Sequence, residues 1–203
     1  MTNSKSGLAI SLSKLDVFPS PKPKLEQYPT DSEIAAEILW FAHMRNDLKG
    51  KTVADLGCGT GILGIGALLM GAKKVFFIDT DTAALAVLGN NLNRLKIKKG
   101  FEIINSDIDL FDKKIDLVLQ NPPFGTKTKH LDKEFLKKAF SISDIIYSFH
   151  KTSTSRFINA FAEDNDFNIT NRWEFDFPLK QTLKFHKKRI QRIKVSCFRL
   201  EKT

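Results

Sequence analysis

Thr52-Val53-Ala54-Asp55-Leu56, followed at once by Gly57-Cys58-Gly59-Thr60-Gly61, is the stretch that decides the fold. The first five residues read as a short buried strand of a parallel sheet. Three glycines in the next five positions read as a tight turn whose backbone can approach a ligand closely. Ile62 to Met70 continues as a helix, with Gly71 as its stop. Val75-Phe76-Phe77-Ile78 is a second strand, ending on Asp79. That carboxylate lies about twenty positions beyond the glycines, the interval at which a second strand presents an acid to a ribose. Strand, glycine turn, helix, strand and acid form half of a doubly wound α/β sheet.

Gly59-Thr60-Gly61-Ile62-Leu63-Gly64 also satisfies the G-x-G-x-x-G pattern of dinucleotide sites. Such a site points helix amides at a pyrophosphate. Asp55, standing at the strand end just before the turn, would repel a pyrophosphate and suits a cationic ligand. S-adenosylmethionine carries both an ammonium and a sulfonium, so the expectation is that cofactor rather than a nicotinamide one.

Downstream, Thr82 to Lys96 carries Ala84, Leu85, Val87, Leu88, Leu92 and Leu95 as the buried side of a helix. Phe101-Glu102-Ile103-Ile104 is a third strand leading to Asn105-Ser106-Asp107. Asp107 reads equally as an acceptor for an adenine amino group and as a turn aspartate. Ile115 to Gln120 is a fourth strand, cut off by Asn121-Pro122-Pro123-Phe124 and Gly125. Two prolines forbid further strand pairing and send the chain out at the carboxyl end of the sheet, where open α/β folds bind ligands. The amide oxygen of Asn121 and the carbonyl of Pro122 are two acceptors suited to an exocyclic amino group, and the Phe124 ring can stack on a flat base. The plain alternative is a proline-rich turn ending a strand. Gly125 to Asp132 is a lysine-rich stretch beside it.

Lys133 to Phe140 and Ser153 to Asp164 read as helices around a fifth strand, Ile145 to Phe149. Asn168 to Phe177 and Arg192 to Leu200 alternate apolar with polar residues, as a terminal hairpin does. Pro178 and Lys184-Phe185-His186-Lys187-Lys188 fall between them, a ring and an imidazole among lysines that read equally as a plain hairpin connection and as a site for stacking with phosphate contact. Upstream, Leu8 to Val17 has helical spacing, and Pro19, Pro21 and Pro23 impose an extended linker. Leu25-Glu26-Gln27-Tyr28-Pro29-Thr30 precedes a helix with Ile34, Ala35, Ile38, Leu39, Phe41 and Ala42 on its core face. Thr30 or Asp31 is its N-cap, and Glu33 completes a capping box with Thr30.

Composition bounds the rest. With 42% hydrophobic and 27% charged residues the chain is globular rather than disordered. No apolar run approaches the roughly 18 residues a membrane span needs, and Met1 to Ser6 lacks the apolar centre of a signal peptide, so a cytoplasmic location and no membrane partner are expected. Cys58 and Cys197 lie far apart, and His43, His130, His150 and His186 are scattered, so no metal site is expected. The net charge is +9, and Gln181 to Leu200 holds no acidic residue while carrying Lys184, Lys187, Lys188, Arg189, Arg192, Lys194 and Arg199. Such a cluster attracts a polyanion, although a solvated lysine-rich face is the plain alternative.

With these motifs in order the chain resembles the adenine-N6 methyltransferases of small-subunit ribosomal RNA, the methyltransferase-like-five group and its archaeal relatives. Four stretches carry the likeness: Leu25 to Thr30, Val53 to Gly61, Asn121 to Gly125 and Lys184 to Lys188. Asn-Pro-Pro-Phe alone is shared with DNA adenine and protein glutamine methyltransferases. The resemblance implies a Rossmann-like class I methyltransferase with a seven-stranded, mostly parallel sheet, a C-terminal antiparallel hairpin and helices on both faces. It implies one domain over residues 1–203, with 1–50 as N-terminal helices and cofactor-covering segment and 51–203 as the catalytic sheet. It implies S-adenosylmethionine at Gln27, Thr30, Asp55, Gly57, Gly59, Thr60, Gly61, Asp79, Asp107 and Asn121. Its catalytic turn is Asn121, Pro122, Pro123 and Phe124, and RNA meets Tyr28 and the Lys184, Phe185, His186, Lys187, Lys188 run. Thr60 stands where some relatives carry another small residue. Eukaryotic members work with a small zinc-binding activator subunit that covers an apolar sheet edge. The rival readings are a protein glutamine N5-methyltransferase, which the same acceptor pair would serve, and a catalytically silent RNA-binding module. A nicotinamide oxidoreductase is disfavoured by Asp55 and by Asn-Pro-Pro-Phe.

Overall fold

The computed structural model describes residues 4–18, 29–123, 131–180 and 190–203, with the side chains of 178–180 and 190–192 left aside. Seven strands form one sheet in the order β3-β2-β1-β4-β5-β7-β6. They are β1 (Thr52–Leu56), β2 (Lys74–Asp79), β3 (Phe101–Asn105), β4 (Leu117–Gln120), β5 (Ile145–Lys151), β6 (Phe167–Lys180) and β7 (Ile190–Lys202). The first five run parallel, and β7 turns antiparallel against β5 and against β6. The chain winds outward from β1 to β3 and then restarts at β4 on the other side of β1. Leu56, the last residue of β1, lies opposite Gln120, the last of β4. This reversal of strand order opens a crevice at the carboxyl ends of β1 and β4.

Both faces of the sheet are covered, which is why the central strands are apolar throughout. Val53, Phe77, Leu119 and Tyr147 alternate onto one face and pack with α1 (Lys5–Ser13), α2 (Ser32–Met44), α3 (Ile62–Leu69) and α4 (Thr82–Arg94). Ala54, Ile78, Val118 and Ile146 take the other face, under α5 (Leu131–Ile142) and α6 (Ser155–Glu163).

Several boundaries differ from those the sequence suggests, each for a local reason. The first helix starts at Lys5 because the Ser4 hydroxyl accepts from Gly7 N at 3.0 Å, and it ends at Ser13, leaving residues 14–18 non-helical. Asp31, not Thr30, caps α2, accepting from Glu33 N at 2.9 Å and Ile34 N at 3.3 Å, so the Thr30–Glu33 box does not form. Ile115 and Asp116 stay outside β4. The Asp116 carboxylate instead accepts from the Thr52 amide and hydroxyl, both at 2.7 Å, and fixes the β1–β4 register. Pro178 lies within β6, opposite Arg192, rather than between the hairpin strands. An edge strand tolerates a proline because its outward amide has no partner to lose.

A buried ionic cluster ties the turn after α2 to the hairpin. Arg199 is 1% exposed, and its Nε donates to Asp47 Oδ2 at 2.9 Å, while Tyr147 Oη donates to the same oxygen at 2.7 Å.

Candidate methyl-transfer site

The crevice is built from the glycine turn outward. Gly57, Gly59 and Gly61 have φ of 65°, 53° and 89°, the left-handed region that favours glycine. A Cβ on Gly61 would lie 2.3 Å from Leu88 Cδ1, and one on Gly59 would lie 2.8 Å from Phe18 Cζ. The need for glycine therefore comes from backbone conformation and from neighbours packed directly on the turn. Asp79 locks the turn to the end of β2, its Oδ2 accepting from Gly59 N at 2.7 Å and its Oδ1 from Asp81 N at 2.8 Å. Burial raises the Asp79 carboxyl above its ordinary range, against the lowering effect of these amides. Each of its oxygens keeps a second lone pair for a ribose hydroxyl.

Asp55 does other work than the sequence suggests. Its side chain is 2% exposed and turns onto the helix face of the sheet, where Oδ2 accepts from Gly64 N at 2.8 Å. Burial pushes its carboxyl up to about 7, opposed by the Gly64 amide and reinforced by the charge of Asp79. Through that bond its carboxylate anchors α3 to β1. Thr60 is buried, and its carbonyl accepts from Asn91 Nδ2 at 3.1 Å. Asp107 sits exposed past the end of β3 and caps the short 3₁₀ turn Ile108–Leu110 through Asp109 N at 3.0 Å.

Across the crevice, Asn121 follows directly on β4. Its Nδ2 donates to Thr30 Oγ1 at 2.9 Å, a bond spanning 91 positions of sequence. Its Oδ1 is buried and has no hydrogen-bond partner among the described residues. An orphaned buried acceptor is costly to maintain without a ligand to satisfy it. Pro122 is buried beside it and Pro123 is partly exposed. Thr30, expected at the cofactor, is thus the residue that orients Asn121. Gln27, Tyr28, Phe124 and the Lys184, Phe185, His186, Lys187, Lys188 run lie outside the described residues.

Two groups escaped the sequence reading. Gln120 Nε2 donates to Ser148 Oγ at 2.9 Å, and Ser148 Oγ lies 2.6 Å from His150 Nε2, a polar line on the core face of β4 and β5. Burial pushes the His150 imidazole down to about 3, so it stays neutral. The signal was polar residues at 148 and 150, in step with Ile146. The other group joins Lys14 and Asp16 to Asn91 and Arg94 of α4.

The basic cluster is smaller than its sequence suggests. Arg199 is buried against Asp47, and Lys194 pairs with Asp176 at 2.8 Å. Cys58 and Cys197 are buried free thiols, pushed up by burial, which makes them poor nucleophiles. Among the described residues no three His, Cys, Asp or Glu side chains converge as metal ligands, and no helix is long and apolar enough to cross a membrane.

A glycine turn locked to the acid of the second strand, with an oriented amide acceptor across the β1–β4 crevice, defines an S-adenosylmethionine-dependent methyltransferase. Residues 31–142 match the methyltransferase small domain family. The rRNA N(6)-adenosine-methyltransferase METTL5 of Danio rerio is 37% identical over 95% of this chain and 96% of its own length, and that of Drosophila melanogaster is 34% identical over 94% and 92%. The crystal structure of PH1948 from Pyrococcus horikoshii, a proposed RNA methyltransferase, superposes with a TM-score of 0.92 at 43% identity, covering 100% of both chains. The chain belongs to the METTL5 family of rRNA N6-adenosine methyltransferases.

Proposed function

We propose that this protein transfers a methyl group from S-adenosylmethionine to the N6 amine of an adenosine in small-subunit ribosomal RNA. The observation that carries the reading is the Asn121 amide, its Nδ2 tied to Thr30 and its buried Oδ1 without a partner among the described residues. Asp79, the backbone of Gly57 to Gly61, Gln27 and Asp107 are the residues that would hold the cofactor, and a carboxylate beside a glycine turn fits its ribose.

S-adenosylmethionine, when bound, would supply an electrophilic methyl group. Adenine N6 is a poor nucleophile because its lone pair is delocalised into the ring. Asn121 Oδ1 and the Pro122 carbonyl accept the two N6 hydrogens, turning the amine toward attack and drawing its lone pair out of conjugation. Phe124 stacks on the flipped base and holds it. The amide therefore acts mainly by positioning, and the surplus N6 proton passes to water. Tyr28 closes the pocket. The net charge of +9, with Lys184, Lys187 and Lys188 in the run free of acids, supports RNA over a protein glutamine as substrate.

We read residues 1–203 as one methyltransferase unit, supported by a core in which Leu8 and Leu12 of α1 pack in one cluster with Val53 and Tyr147 of the sheet. A cytoplasmic location goes with a ribosomal substrate. A small zinc-binding activator is part of the same proposal. Its seat would be the open edge of β3, where Ile103 is 37% exposed and strand addition is available. The deciding test is nucleoside analysis of ribosomal RNA incubated with the purified protein and labelled cofactor. N6-methyladenosine supports the proposal, and label found only in protein overturns it.

A further inference from the structure

Residues 14–18 leave α1 without regular structure, yet two side chains of α4 hold Lys14 and Asp16 in place. Asn91, on α4, is fully buried and sits in the apolar stripe of that helix between Leu88 and Leu92. Its Oδ1 accepts from Asp16 N at 2.8 Å, and its Nδ2 donates both to Asp16 O at 3.0 Å and to Thr60 O at 3.1 Å. One side chain thus pairs with both backbone groups of Asp16 and with the carbonyl of the glycine turn. One helical turn further on, Arg94 donates to Lys14 O at 2.8 Å and grips the Asp16 carboxylate with two bonds of 3.0 and 2.6 Å.

The clasp fixes the backbone just before Phe18. Two residues past Asp16, the Phe18 ring reaches the glycine turn, with Cζ only 2.8 Å from where a Gly59 Cβ would stand. Gly59 is the residue whose amide holds the Asp79 carboxylate, so the ring packs on the turn next to the acid read above as the ribose partner. Phe18 is half-buried: it packs on the turn without being enclosed. An apolar ring beside an acid at a glycine turn is a wall for a flat, partly apolar nucleoside.

We propose that Phe18 is a cofactor-contacting residue, and that Asn91, Arg94 and Asp16 are positioning residues that hold it against Gly59. The N-terminal segment would then build part of the cofactor site rather than merely cover the core. This inference rests on the methyltransferase reading above. Pre-ordering the ring before binding removes part of the ordering cost that a free segment would impose on affinity.

The experiment uses the full chain and S-adenosylhomocysteine as probe, with calorimetric affinity read beside thermal unfolding of the ligand-free protein. Phe18→Ala weakens binding about tenfold and Phe18→Tyr stays near wild type, as loss of a ring contact predicts. Arg94→Ala, a half-exposed position that leaves the core intact, weakens binding about threefold. Asp16→Asn keeps both backbone bonds to Asn91 while weakening the Arg94 grip, and falls between wild type and Arg94→Ala. The double variant Phe18→Ala/Arg94→Ala binds no more weakly than Phe18→Ala alone, because the clasp acts through the ring. Unchanged or tighter binding by Phe18→Ala, with wild-type binding intact, overturns the proposal. So does an Arg94→Ala loss that persists in full on the Phe18→Ala background. A wild-type chain that binds no S-adenosylhomocysteine would instead overturn the methyltransferase reading itself.

Discussion

Thr30→Val removes one hydroxyl and little volume, and it separates two roles that Thr30 could fill. In the structure that hydroxyl accepts the Asn121 amide at 2.9 Å, leaving Oδ1 as the free acceptor. Without it the amide can turn its nitrogen toward the substrate amine, where it cannot accept. A single neutral hydrogen bond contributes about 1 kcal/mol net, which is roughly a fivefold loss in kcat. Asn121→Ala removes the acceptor itself. Loss of one positioned polar contact in a transition state costs about 3 kcal/mol, or about 10²-fold in rate. The assay is single-turnover methyl transfer to a ribosomal RNA fragment, with saturating cofactor, for the two single variants and the double. If Thr30 works through Asn121, Thr30→Val has almost no further effect on the Asn121→Ala background. A full fivefold loss on both backgrounds would refute that reasoning and give Thr30 an independent contact with the cofactor. Wild-type rates in Asn121→Ala would refute the assigned role of the amide altogether.

Other consequences follow from the same geometry. The Asp55 carboxyl, raised to about 7 by burial, binds its proton more tightly in the folded than in the unfolded chain. Its contribution to stability is therefore greatest below about pH 4 and falls as pH rises through about 7. Asp55→Asn, which keeps an acceptor for Gly64 N, should flatten that fall in urea unfolding measured from pH 5 to 8, and an unchanged slope would clear Asp55 of it. Arg199→Met should destabilise the fold by about 3–5 kcal/mol by leaving the Asp47 carboxylate buried without its guanidinium, read as a lower urea midpoint. Replacing Asp47 with asparagine in the same chain should recover part of that loss. Neutralising Lys187 and Lys188 together should flatten the salt dependence of RNA binding by about 1.4 in log–log slope, and an unchanged slope would remove the pair from the RNA contact.

How much of this was legible in the sequence depends on the range of the interactions involved. The strand–turn–helix unit from Thr52 to Asp79 was readable because strand period, glycine conformation and helix stop are local, and the β1–β4 crevice followed from it. Thr30 was legible as a residue at the start of α2 but not as the partner of Asn121, since their bond joins positions 91 apart. Asp55 was legible as a carboxylate at a strand end, but nothing local says that its Oδ2 is held by the Gly64 amide. Pairing and face are properties of the packed sheet. Asn91 carried a signal, a lone amide in a helix stripe of alanine and leucine, but nothing local says that it holds residues 14–18. Arg199 reads as part of a basic run, yet strand alternation opposite Tyr147 turns it inward to Asp47. Pro178 suggested a break, and only its place on an edge strand permits it to pair.

Incubating purified protein with small-subunit ribosomal RNA and methyl-labelled S-adenosylmethionine, then digesting the RNA to nucleosides, tests the central claim most directly. Label should co-elute with N6-methyladenosine, and Asn121→Ala should lower it about 10²-fold while cofactor binding stays near wild type. Label on another nucleoside, or on protein glutamine with none in RNA, would contradict the account.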